Sequence, residues 1–178
     1  YLLFVGQLIR GKGIDTLIEA MAQVDSDIDL MICGSGRMEA EYRSQATRLG
    51  LAERVQFLGR RNAAELELLY RHARLVLIPA RAPETFCLVG LEALRQGTPV
   101  IASNVGGMRD WFKPKQNGWP FAANDVGGLA KVIDEALFDE VAMRRVRDFV
   151  ASDNYDRFKP ENHLDSLQQT FGAMVEVS

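Results

Sequence analysis

The sequence predicts an α/β protein: a doubly wound parallel sheet in three layers, helix–sheet–helix. Two observations carry this. Short apolar runs alternate with helical segments of 10 to 14 residues along the chain, the signature of consecutive βαβ units. The apolar runs are continuous, not alternating with polar residues, so each strand is covered on both faces.

Taken in order, LLFV at 2–5 is a buried-strand run and GQLIRGKG at 6–13 a loop. Apolar residues at 14, 17, 18, 21 and 24 recur with helical spacing, predicting a helix over 14–24. IDLMIC at 28–33 is a second strand, and residues 37–49 a helix stopped by Gly50. VQFLG (55–59), LVLIP (75–79) and PVIAS (99–103) are three further strands, separated by helices over 63–73 and 88–96. GGMRDWF starts a short helix, WPF at 119–121 is a sixth strand, and helices are predicted over about 125–138, 139–151 and 160–176.

The chain has 178 residues, enough for one domain with a substantial core. We read residues 1–178 as a single unit with its C-terminal helices beginning near 125. Its formal net charge of −3 argues against a general nucleic-acid surface. No apolar run approaches the ~20 residues of a membrane span. The two cysteines, Cys33 and Cys87, lack zinc spacing and point to a reducing, cytoplasmic setting. The chain opens at Tyr1 directly in a strand run, which reads as a piece of a longer protein.

In a doubly wound sheet, ligands bind beyond the carboxyl ends of the strands. Four loops lie there: GQLIRGKG, GSGR, GRRN and ARAPETF. The first sets Gly6, Gly11 and Lys12 just before a helix, where backbone amides and the helix dipole attract an anion. It is not a Walker loop, because Lys12 is followed by Gly13. A helix terminus contributes ~0.3–1 kcal/mol to a bound anion. A lysine about 4 Å from a phosphate contributes roughly 4 kcal/mol at an effective dielectric of 20, before desolvation. Lys12 should therefore dominate.

GSGRME at 34–39 has Glu39 where a dinucleotide fingerprint has its third glycine, and reads as a tight turn. Asp25, Asp27 and Asp29 form overlapping D-x-D patterns, but at the amino end of a strand, as a solvated turn would. His72 and His163 have no Ser–His–Asp or Cys–His context. Cys87 has no visible base partner.

The segment APETFCLVGLE is different: Glu84 and Glu92 flank the start of a helix. A carboxylate can accept from two vicinal hydroxyls, as on a ribose, at ~1.5–3 kcal/mol per charged hydrogen bond. The Phe86–Leu88 backbone should offer unpaired amides at the helix head.

The joint order of these pieces resembles the C-terminal domain of retaining GT-B glycosyltransferases, the large family four (group 1). FVGQLIRGKGIDTLIEAM, LMICGSGRMEAEY, VQFLGR and PARAPETFCLVGLEALRQGTPVIASNVGG carry the likeness, clearly over about 1–125. The resemblance implies a Rossmann-like half of a GT-B fold that binds a UDP- or GDP-sugar donor. The other half, an N-terminal acceptor domain, lies outside this chain. The acceptor would be a sugar, lipid-linked or glycan hydroxyl, in polysaccharide, lipopolysaccharide or glycolipid synthesis. The enzyme would retain anomeric configuration and need no metal or other cofactor. Peripheral membrane association at the inner face would run through the absent half. Glu84 would contact the donor sugar as the catalytic residue, Lys12 the diphosphate, and Glu92 the ribose. Gly6 and the backbone of Phe86, Cys87, Leu88 and Val89 would hold phosphate and sugar, with Arg60 near the base. Two residues depart from the family pattern. Gln7 stands where an arginine commonly pairs with the diphosphate, so Lys12 must suffice or Arg10 or Arg60 must help. Cys87 stands where glycine is frequent. The alternatives are a non-catalytic Rossmann-like binding module or another GT-B enzyme such as a nucleotide-sugar epimerase.

Overall fold

A computed structural model describes residues 1–83, 85–103 and 105–158, without the side chains of Arg109 and Arg157. Glu84, His163 and the helix predicted over 160–176 lie outside the described residues. Six strands form one sheet: β1 (Leu2–Val5), β2 (Leu30–Cys33), β3 (Val55–Gly59), β4 (Leu75–Ile78), β5 (Val100–Ser103) and β6 (Gly118–Phe121). Their order is β3-β2-β1-β4-β5-β6, and every pairing is parallel. The direction of strand order reverses between β1 and β4, which is the topological switch point. All four residues of β4 and of β5 are buried, as strands covered on both faces must be.

The helices are α1 (Ile14–Met21), α2 (Glu39–Arg48), α3 (Ala63–His72), α4 (Leu88–Arg95), α5 (Val126–Phe138) and α6 (Glu140–Ser152). α1 packs against α2 and α5, while α3 packs against α4. The expected helix over 14–24 ends at Met21, because the chain turns off through Ala22 and Gln23 before Asp25. The expected helix over 37–49 starts two residues later, after a turn in which Glu39 N donates to Gly36 O. The segment GGMRD is a 3₁₀ turn, and a second 3₁₀ turn, Arg10–Lys12, breaks the loop after β1.

Several helix starts are fixed by local side chains. Asn62 Oδ1 accepts from Glu65 N at 3.0 Å while Glu65 Oε2 accepts from Asn62 N at 2.9 Å, a capping box opening α3. Asp125 and Asp139 cap α5 and α6 in the simpler one-way manner. No helix among the described residues is long and apolar enough to cross a membrane.

Candidate functional site

Two loops meet at the switch point, and backbone hydrogen bonds join them. Gly11 O accepts from Arg81 N at 2.9 Å and from Ala82 N at 3.3 Å. The Arg81 side chain reaches back to the first turn of α1, pairing with Asp15 at 2.8 Å and donating to Thr16 Oγ1 at 2.8 Å. Gly13 sits between them with φ 70°, and a β-carbon there would lie 1.8 Å from Pro79 O. Only glycine allows α1 to start this close to the end of β4. Lys12, one position earlier, is thereby held against the loop that follows β4.

That loop is carried into α4 by Cys87, which adopts the left-handed conformation (φ 58°, ψ 69°) at the N-cap. The amides of Leu88 and Val89 have no intrahelical acceptor, and none of the described residues accepts from them. A strut supports this turn from below: the Trp111 indole donates to Phe86 O at 2.6 Å. Its ring is fully buried, and a β-carbon at Gly90 would lie 2.1 Å from it. Sequence reasoning missed this strut. Its only signal was a glycine inside the predicted helix with an aromatic residue 21 positions later.

A second seam joins the loops after β1 and β2. Leu8 N donates to Ser35 O at 3.0 Å, and Met38 N to Leu8 O at 3.1 Å. β-Carbons at Gly34 and Gly36 would strike Gly6 O and Leu8 O. The glycines of GSGR thus serve tight loop packing, as the sequence suggested.

Three cavities adjoin along this rim. The first, about 370 Å³, lies between the ends of β1 and β4 and is lined by Lys12, Phe86, Cys87, Leu88 and Val89 among others. The second, about 750 Å³, lies beyond β1, β2 and β3 and holds Gly6, Gln7, Arg37, Arg60 and Arg61. Val5 lines both. The third, about 260 Å³, is a groove between α3 and α4 containing Tyr70 and Glu92, and it shares Leu66 with the second. Of the sequence-derived site residues, five line the first cavity, Gly6 and Arg60 the second, and Glu92 the third. Glu92 does not reach the first cavity's lining; one of its oxygens, Oε2, accepts from Tyr70 Oη at 2.7 Å.

The arginines suggested as substitutes for a charge at Gln7 separate here. Arg60 shares a cavity with Gln7. Arg10 turns outward toward Glu41, 3.8 Å away with both side chains mostly exposed. Two groups beneath the rim hold their protons tightly. Burial raises the Cys33 thiol, and burial together with the Glu92 charge raises the Tyr70 phenol. Asp25, Asp27 and Asp29 sit before β2 at its amino end, away from this rim. Among the described residues no group of three or more His, Cys, Asp or Glu is placed to hold a metal.

Comparison with known proteins identifies relatives of the whole chain. Residues 1–150 match the model of the family described as glycosyl transferases group 1. The chain is 35% identical over 179 residues to an uncharacterised glycosyltransferase of Methanocaldococcus jannaschii, covering 99% of this chain and 45% of that protein. It is 31% identical over 186 residues to the D-inositol 3-phosphate glycosyltransferase of Corynebacterium diphtheriae, covering 98% of this chain and 43% of that one. The crystal structure of Anabaena HepE in complex with UDP superposes with a TM-score of 0.87 at 27% identity, over 97% of this chain and 49% of that one. The chain thus spans about half the length of these three relatives. It belongs to the glycosyl transferases group 1 family.

Proposed function

We propose that this chain is the donor-binding half of a retaining, metal-independent glycosyltransferase that moves a sugar from UDP or GDP to a hydroxyl acceptor. The observation that carries the reading is the first cavity. There Lys12 and the open first turn of α4 line one space at the switch point of the sheet. A lysine and a helix N-terminus together suit a diphosphate. The UDP held by the HepE structure supports a nucleotide diphosphate as the ligand class.

Departure of the nucleoside diphosphate leaves negative charge on its terminal phosphate. Lys12 and the Leu88 and Val89 amides stabilise that charge as it develops. Gly6 lets the diphosphate approach the end of β1, and the Phe86–Cys87 backbone bounds the sugar side. Arg60 lies toward the base and Glu92 toward the ribose. Glu84 contacts the donor sugar; this role rests on the resemblance alone. The acceptor hydroxyl and any membrane contact belong to the other half of the protein.

Calorimetric titration tests this directly. UDP or GDP should bind and NAD should not, and Lys12→Ala should weaken the nucleotide at least tenfold, about 1.4 kcal/mol. The isolated 178 residues should show no transfer from UDP- or GDP-sugars. Unchanged affinity after Lys12→Ala, or tight NAD binding, overturns the reading.

A further inference from the structure

We propose that Tyr70 is a positioning residue for donor binding: its hydroxyl holds one oxygen of Glu92 so that the other is presented to the vicinal hydroxyls of the donor's ribose. This rests on the assignment of Glu92 to the ribose made above.

Tyr70 is a fixed point. It is 2% exposed, and its carbonyl accepts from Thr98 Oγ1 at 2.6 Å, tying α3 to the segment entering β5. From there its hydroxyl spans to α4 and donates to Glu92 Oε2 at 2.7 Å, a length typical of a hydrogen bond to a carboxylate. Burial and the neighbouring carboxylate raise the phenol above its ordinary range, so it keeps its proton and remains the donor. Glu92, by contrast, is exposed. Its Oε1 receives no hydrogen bond from any described residue. Without the tyrosine, an exposed glutamate samples many rotamers, and a ligand must order it on binding. With it, one oxygen is occupied and the carboxylate plane is set before the ligand arrives. Glu92 lines the groove that adjoins the cavity holding Arg60. The role is one of orientation, so its signature is discrimination between ribose and deoxyribose, not nucleotide affinity in general.

Tyr70→Phe removes the hydroxyl and keeps the ring, and calorimetry with paired nucleotides reads the effect. UDP is compared with 2′-deoxy-UDP, and GDP with 2′-deoxy-GDP, on the wild-type and variant chains. The wild type should favour the ribonucleotide about tenfold, the worth of one charge-assisted hydrogen bond. In Tyr70→Phe the ribonucleotide should weaken roughly five- to tenfold and the deoxynucleotide less than twofold, so the ratio collapses. Equal weakening of both nucleotides overturns the proposal, because a merely loosened groove would give that result. Glu92→Gln should collapse the ratio too, and adding Tyr70→Phe to it should change the ratio no further. A further change in the double variant also overturns the proposal. A wild type that binds ribo- and deoxynucleotide alike removes the ribose assignment itself, and Lys12→Ala then tells whether the diphosphate assignment survives.

Discussion

Cys87 shows how a residue other than glycine can hold a backbone conformation that glycine favours. Its left-handed backbone (φ 58°) is the conformation that glycine adopts without strain. A non-glycine residue there costs roughly 1–3 kcal/mol. Replacement by glycine relieves that strain, but it restores about 0.4–1 kcal/mol of unfolded-chain entropy and forfeits the contacts of a half-buried side chain. These terms nearly cancel, so Cys87→Gly should change the urea midpoint little. Cys87→Val should be at least ~1 kcal/mol less stable than the glycine variant, because a β-branched residue is a true outlier at positive φ. Equal midpoints for the two variants would mean that the turn entering α4 is not held left-handed. The two glutamates illustrate the limits at this scale. Their spacing singled out a candidate ligand segment, but it could not reveal that Glu92 is tethered across a helix interface by Tyr70, 22 positions earlier. Only the fold brings α3 beside α4.

At the scale of elements, the strands were legible because a buried parallel strand must be apolar on both faces, which leaves unbroken runs such as LVLI and LLFV. Helix ends were less legible. α1 stops at Met21 although apolar spacing continues to Val24, a residue that is still buried after the helix has ended. Periodicity reports burial, and burial outlasts the helix. The seams between loops were invisible in the sequence except as glycines, and there the two physical uses of glycine can be separated. Gly13 and Gly50 share a positive φ, 70° and 73°, but a β-carbon strikes Pro79 O at Gly13 and meets nothing within 4 Å at Gly50. Gly50→Ala should cost only the conformational term, about 1 kcal/mol. Gly13→Ala adds overpacking of about 1–3 kcal/mol, and it should also weaken UDP binding by shifting Lys12 off the loop after β4. Chemical denaturation of the two variants, with a UDP titration of each, checks both statements. Equal stability losses would deny the close approach of α1 to β4.

For the whole molecule, one buried feature sets a response to pH that lies apart from the donor site chemistry. Four acidic groups titrate above their ordinary values because burial disfavours their anions: the thiol of Cys33 (ordinarily 9.0) and the phenols of Tyr1, Tyr42 and Tyr70 (ordinarily 10.0). They are spread over the residue preceding β1 and over β2, α2 and α3, so the effect belongs to the fold as a unit. Above pH 9 the unfolded chain loses these protons while the folded chain keeps them. The folded state then binds more protons, and stability falls with rising pH. Their contribution is fully present below pH 9, where both states are protonated, and is lost progressively above it. Cys33 should begin the decline and the tyrosines should steepen it beyond pH 10. Urea midpoints at half-unit steps from pH 7 to 10.5, read by the fluorescence of the buried Trp111 and Trp119, should show a plateau and then a fall. Tyr70→Phe should lessen the slope above pH 10 without moving its onset near 9, whereas Cys33→Ser should delay the onset. A midpoint that stays level through pH 10.5 would mean that these groups reach solvent in the folded protein, and the packing of the sheet against α2 and α3 would need to be redrawn.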